Sequence, residues 1–219
     1  VRLVHETYPD VLFCVDEVQG GFGRTGRLWA HEWYVDRLKQ PEERMLKPQF
    51  VTCGKLMGGG LPLSALLGPK DVMESDAVKE FGYLHSTHSG NPVMCSVGCV
   101  VIEQIVKHNL IKESERKGEL MHSLLRELPI RTVGKGLMAG LEFKDREECK
   151  KAVGMIRKRD VLVVDTGRKW IKSGPELTIE DELLIQGVKI VCEVVEEVVC
   201  YRKEQENEGI IQKSLDEGN

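Results

Sequence analysis

Three stretches of this 219-residue chain carry residue types that do chemistry. The first is Asp16, near the end of the run Val11–Val18 (VLFCVDEV). A continuous apolar, β-branched run ending in charge suits a central strand buried on both faces, and α/β sheets bind ligands beyond the carboxyl ends of their strands. A carboxylate beside that much apolar surface needs a hydrogen bond or a counter-charge. From position alone, Asp16 reads equally as a ligand-binding acid, as a helix cap, or as the partner of Arg24 or Arg27. The second is Lys55, between Cys53-Gly54 and Leu56-Met57 and just past a second apolar run, Gln49–Cys53. It is not on an obvious solvated face. A lysine drawn out of water becomes a neutral amine more readily, and the neutral amine is the form that makes a Schiff base. Gly58-Gly59-Gly60 would let backbone approach a ligand closely. The plainer reading is a lysine snorkelling at a strand end. The third is Ser86-Thr87-His88-Ser89-Gly90-Asn91-Pro92, where hydroxyls and backbone N–H groups ahead of a helix can hold an anion or simply cap that helix.

Other patterns look chemical and lead elsewhere. Gly21–Gly26 (GFGRTG) matches the spacing of a dinucleotide-binding loop, but no helix opens from it and no acid ends a following strand near Glu42 or Glu43. His88 could be a general base, yet the sequence supplies no orienting carboxylate, so it reads as structural. Cys95 and Cys99 are four apart without a second pair of ligands, so no metal site is expected. The seven cysteines are odd in number and most sit in apolar segments, which predicts buried thiols in a reducing compartment. The cytoplasm is the expected location, and the start at Val1 leaves a mitochondrial one open.

The elements around these residues set the frame. Leu63–Leu67 is a third short apolar run. Arg37–Lys47 is charged and reads as a surface excursion. Pro92 opens a helix through about His108, and a more charged helical pattern follows over Ile111–Leu128. Thr132–Phe143 reads as one strand interrupted by glycines, Glu147–Arg159 as a helix, Val161–Asp165 as a strand and Glu180–Val199 as a long amphipathic helix. Strands alternating with helices predict an α/β sheet first and a smaller α+β unit from about residue 120. The expected boundaries are 1–119, 120–203 and a polar, frayed tail at 204–219. A net charge of −4 without a basic stripe argues against nucleic acid as a partner. No apolar run approaches the roughly 18 residues a membrane helix needs, so no membrane partner is expected.

Taken in order, Asp16-Glu17-Val18-Gln19, Gly23-Arg24-Thr25-Gly26, Gly54-Lys55 with Gly58-Gly59-Gly60-Leu61-Pro62, and Ser86-Thr87 with Gly90-Asn91-Pro92 resemble the class III aminotransferases of the ornithine, acetylornithine and 4-aminobutyrate type. The resemblance runs from about Val11 to about Val199 and matches the carboxyl-terminal half of such a subunit. It implies the fold of type I transferases that use pyridoxal 5′-phosphate, with the C-terminal part of the large-domain sheet followed by a small α+β domain. It implies that Lys55 holds the cofactor as a Schiff base and moves the substrate proton, and that Asp16 pairs with the pyridinium nitrogen. By the same resemblance Val18 packs on the ring, Gln19 bonds the ring hydroxyl, and Ser86 and Thr87 contact the phosphate, in this family across a homodimer interface with shared active sites. The substrates implied are an amino donor and an oxo-acid acceptor.

Where the family carries an arginine for the substrate carboxylate, this chain has Lys172, in Lys172-Ser173-Gly174-Pro175; Arg168 lies four residues earlier. A lysine is a point charge and lacks the planar fork of arginine. The family's upstream phosphate loop and ring-stacking aromatic are not among these residues. The alternatives are racemase, lyase or decarboxylase chemistry on the same cofactor fold, or an inactive fragment serving as a scaffold.

Overall fold

The computed structural model describes residues 6–35, 48–81 and 86–216. The chain divides into two units between Ser114 and Glu115. In the first, β1 (Cys14–Asp16) runs parallel to β2 (Phe50–Cys53), and β3 (Ala65–Leu67) runs antiparallel on the other side of β2. The register sets Cys14 opposite Phe50, Val15 opposite Val51 and Asp16 opposite Thr52. A side-chain bond at one end and a backbone bond at the other clamp this short ladder. Phe13 N–H donates to Gln49 Oε1 at 2.8 Å, and Glu17 N–H donates to the Thr52 carbonyl at 2.8 Å.

The expectation of a strand buried on both faces is corrected. β1 is three residues long, with Cys14 and Asp16 exposed and Val15 half-buried. Among the described residues it pairs only with β2, so it forms the rim of a three-stranded sheet instead of its centre. The charged excursion expected at 37–47 falls within residues 36–47, which lie outside the described ones.

Short helices α1 (Glu32–Val35), α2 (Lys70–Met73) and α3 (Asp76–Phe81) follow the strands. α4 (Pro92–Lys107) begins at the proline that predicts it, because proline's fixed φ suits the first helical position. Its Ncap, Asn91, accepts N–H bonds from Val93 and Met94 at Oδ1, at 3.0 and 3.4 Å. α4 packs on the one-turn 3-10 helix Lys55–Gly58. Contact is tight enough that a Cβ at Gly98 would stand 2.6 Å from Leu63 Cδ2, and one at Gly59 2.8 Å from Val101 Cγ2. α5 (Leu110–Leu125) crosses the division between the units.

The second unit holds an antiparallel sheet in the order β4 (Arg131–Gly134), β5 (Ala139–Glu142), β7 (Trp170–Ser173), β6 (Val164–Asp165). α6 (Arg146–Arg157) packs on β6, on β7 and on the long helix α7 (Asp181–Asp216). Leu137, Leu141, Phe143, Ile156, Ile171, Val194 and Val195 are almost fully buried and form its core. Two expectations are corrected here. Thr132–Phe143 is a hairpin and not one interrupted strand. Gly134 at φ 142° and Gly136 at φ 53° take the left-handed region that lets the chain reverse. The tail expected to fray from residue 204 is helical to Asp216, continuing α7 with glutamate, glutamine and lysine, all good helix formers.

The prediction of buried thiols holds for Cys53 and Cys149 only. Cys14, Cys95, Cys99 and Cys200 are exposed and Cys192 is intermediate. Cys95 and Cys99 are exposed on α4, as are Val93, Val100 and Val106. Burial pushes the Cys149 and Cys192 thiols up to about 11, which keeps them protonated and unreactive. No single helix among the described residues is long and apolar enough to cross a membrane.

Candidate functional site

Two parallel strands end side by side, and each delivers one of the groups singled out by the sequence. Asp16 is the last residue of β1 and sits opposite Thr52; Lys55 comes three residues beyond Thr52, just past the end of β2. Both are exposed. Neighbouring strands lie about 4.8 Å apart, so this register sets a carboxylate and a primary amine at the same rim of the sheet. Parallel pairing is what allows this, since an antiparallel pair would send its two carboxyl ends to opposite rims.

Asp16 is held by local bonds. Its Oδ1 accepts the Val18 N–H at 3.0 Å and the Thr52 hydroxyl at 3.3 Å. The first closes a turn over Glu17 and the second ties the carboxylate to the adjacent strand. These two bonds run to neither Arg24 nor Arg27, the partners considered from sequence.

Lys55 departs from expectation. It is exposed where its apolar flanks suggested shelter. Its backbone takes φ 48°, a left-handed conformation that a side chain with a Cβ adopts only at a cost. The chain leaves β2, turns through Lys55 and buries Met57 beneath it, so the amine is carried outward while the next turn goes inward.

Val18 is half-buried and Gln19 exposed, on the turn that leaves β1. Ser86 and Thr87 are exposed in the turn before α4. There Ser86 N–H donates to Ser89 Oγ at 2.9 Å, and the two serine hydroxyls lie 3.1 Å apart. The helix start itself is occupied: Pro92 has no N–H, and Asn91 takes those of Val93 and Met94. An anion at this turn would therefore meet the hydroxyls and N–H groups of residues 86–90 before the first turn of the helix. His88 is exposed there, its carbonyl accepting the Asn91 N–H.

Arg168 and Lys172 belong to the second unit. Lys172 is half-buried on β7, opposite Gly140 on one side and Val164 on the other. Arg168 is exposed in the turn before that strand. The sheet rim of the first unit thus gathers Asp16, Val18, Gln19 and Lys55, while the two candidate substrate cations are built on a separate sheet.

The loop Gly20–Gly26 opens into no helix, as expected, and instead wraps a side chain that sequence reasoning passed over. Glu17 is 1% exposed. Its Oε2 accepts the Ala30 N–H at 3.0 Å, and its Oε1 accepts the His31 N–H at 2.9 Å and stands 2.9 Å from His31 Nδ1. Two consecutive acids at a strand end must face opposite sides, because side chains alternate along a strand. That alternation was the available signal: once Asp16 is directed to the rim, Glu17 has to find partners beneath it. Among the described residues, no group of three His, Cys, Asp or Glu side chains is placed to hold a metal ion.

The chain resembles known proteins over most of its length. The family profile "Aminotransferase class-III" matches residues 7–195. The mitochondrial acetylornithine aminotransferase of Saccharomyces cerevisiae is 34% identical over 198 residues, which cover 86% of this chain and 43% of the yeast protein. The acetylornithine aminotransferase of Aquifex aeolicus is 33% identical over 187 residues, 85% of this chain and 45% of that one. Among solved structures, the ornithine aminotransferase of Toxoplasma gondii superposes with a TM-score of 0.76 at 27% identity, covering 92% of this chain and 46% of that one. A transaminase solved with L-alanine gives 0.77 at 25% identity. The chain spans about half the length of the curated relatives it matches.

Proposed function

The chain belongs to the class III aminotransferase family, and from that membership we propose that it forms the lysine-bearing half of a transaminase site that uses pyridoxal 5′-phosphate. The observation that carries the proposal is the β1–β2 register, which sets Asp16 and Lys55 at one rim of the sheet. The donor set fits the cofactor. A carboxylate suits a basic ring nitrogen, a primary amine suits an aldehyde, and the hydroxyls of Ser86 and Thr87 suit a phosphate. When bound, the cofactor supplies an electron sink for the carbanion formed when an amino substrate loses its proton.

The residues of this chain then have distinct tasks. Asp16 places a fixed negative charge at the ring nitrogen and keeps that nitrogen protonated, which makes the ring the better sink. Lys55 Nζ would hold the cofactor between turnovers and, once freed, would carry the proton taken from the substrate carbon. Val18 packs against the ring face and Gln19 donates to the ring hydroxyl. Ser86 and Thr87 hold the phosphate, in a homodimer whose subunits share their sites. Lys172, with Arg168 near it in sequence, meets the substrate carboxylate as a point charge. The substrates are an amino donor and an oxo-acid acceptor, used in alternation.

The test is borohydride reduction of the intact natural protein in the presence of pyridoxal 5′-phosphate, followed by peptide mass mapping. The adduct is expected on Lys55 and is lost in Lys55→Ala. Asp16→Ala retains the adduct and loses at least a hundredfold in the rate of amino transfer. An adduct on a different lysine, or transfer undiminished in Lys55→Ala, would sink the assignment.

A further inference from the structure

Glu17 and His31 are fourteen residues apart in sequence and share a bond beneath the rim that carries Asp16. The Glu17 backbone belongs to the sheet, since its N–H extends the β1–β2 ladder to the Thr52 carbonyl. Its side chain belongs to the loop, where both oxygens are used on Ala30 and His31. One residue therefore joins the far end of the loop to the strand end on which Asp16 sits. Two glycines close the cradle. A Cβ on Gly20 would stand 2.9 Å from Glu17 Oε2 and 2.8 Å from the Ala30 Cβ; one on Gly21 would stand 2.9 Å from the Glu17 carbonyl oxygen and 2.9 Å from the Trp29 ring. Gly21 N–H returns to the Glu17 carbonyl at 2.9 Å, and Phe22 meets Trp29 edge-on at 5.2 Å. Between Glu17 and this closure lie Val18 and Gln19. The turn that presents them, and the Val18 N–H that Asp16 accepts, can shift only if the carboxylate below lets go.

We infer that Glu17 is a positioning residue. With the half-buried His31 it forms a latch that fixes Asp16, Val18 and Gln19 toward a bound ring, and this rests on the function proposed above. A buried carboxylate is stable only while its oxygens are hydrogen-bonded. Glu17→Gln keeps the volume but turns an amide N–H₂ toward either the Ala30 or the His31 N–H, so that a donor faces a donor. His31→Phe removes the ring bond and leaves the backbone one.

The experiment uses the intact natural protein and pyridoxal 5′-phosphate labelled with ¹⁵N in the ring. Binding is read by absorbance, the ring nitrogen's protonation by its ¹⁵N shift, and the fold by far-ultraviolet circular dichroism. Glu17→Gln is expected to weaken cofactor binding tenfold or more and to move the ¹⁵N resonance toward the unprotonated value, while borohydride still traps the cofactor on Lys55. His31→Phe moves both in the same direction by less, and the double variant is weakened by less than the product of the two singles. If Glu17→Gln fails to fold, His31→Phe decides alone. Variants that bind within twofold of the wild type with an unmoved ¹⁵N resonance overturn the inference. So does weakened binding with an unmoved resonance, which marks a role in the fold only. A wild-type protein that takes no cofactor on Lys55 overturns the function itself, and that result is seen before any Glu17 variant is made.

Discussion

Gly118 on α5 lies against Gly136 in the β4–β5 turn so closely that a Cβ at position 118 would stand 2.4 Å from the Gly136 Cα. The obstacle is backbone, in a turn whose own φ of 53° already limits it to residues like glycine. Gly118→Ala therefore forces helix and hairpin apart, and about 1–3 kcal/mol of stability should be lost to overpacking. Gly154, inside α6 with open space where its Cβ would be, is the opposite case. Gly154→Ala should gain about 0.5–1 kcal/mol from helix propensity alone. Urea denaturation of the two variants compares them directly. Equal and small effects would mean that α5 does not touch the hairpin.

His122, one turn further along α5, has its Nε2 buried without a partner. Burial holds the ring below the usual imidazole value; a bond to the Gly136 backbone and the Glu119 charge oppose this, and Arg126 and Lys135 add to it. The unfolded chain takes up a proton near pH 6.5, and the folded ring does so only lower. Between those values the unfolded state holds more protons, so stability is complete above about pH 6.5 and falls as the solution is acidified below it. His122→Phe should flatten this decline. Urea midpoints for both proteins at several pH values from neutral to mildly acidic provide the check, and parallel declines would remove His122 as its source.

Lys55 carries a left-handed backbone beneath an exposed amine. Relief of that conformation is worth about 1–2 kcal/mol, partly offset by glycine's greater freedom when unfolded. Lys55→Gly should accordingly raise stability by about 1 kcal/mol, while Lys55→Ala, which keeps a Cβ, should not. Both should lose borohydride-trapped cofactor. Thermal melts of the two cofactor-free variants separate them, and a glycine variant no more stable than the alanine one would contradict the strained turn.

Asn91 is the sole side-chain cap at the start of α4 among the described residues, and it serves two N–H groups. Asn91→Ala should cost about 1 kcal/mol, and Asn91→Asp should restore most of it. Because α4 supports the Lys55 turn through Gly59 and Gly98, hydrogen exchange at Leu56–Gly59 should quicken in the alanine variant. Unchanged exchange there would show that the turn stands without the helix end.

Local signals announced some of this architecture and not the rest. Pro92 and the apolar spacing after it predict α4 to within a residue, because helix starts are governed by neighbours in sequence. The glycines at 134 and 136 were visible, but as interruptions; whether a glycine weakens a strand or reverses it depends on φ, which no composition reports. Asp16 and Lys55 were legible as a pair only through the motif order around them. The exposure of Lys55 was not, since only Met57 of its apolar neighbours is buried as the chain turns, and Leu56 stays half-exposed. Glu17 was hardest, because the groups that satisfy it, Ala30 and His31, come from the far side of a glycine loop.

The rim that gathers Asp16 and Lys55 depends on three rungs of parallel pairing between segments 36 residues apart. A slip of one rung would turn Asp16 to the opposite face and carry Lys55 past its place. So short a ladder sets its own frame weakly, and the Gln49 and Glu17 clamps at its two ends act as punctuation marks that fix where reading begins and stops. Insertions between the clamps and away from both strands leave the frame intact, since lengthening a loop changes closure entropy only slowly. Changing Gln49 leaves Asp16 and Lys55 untouched and endangers the frame that makes them a site.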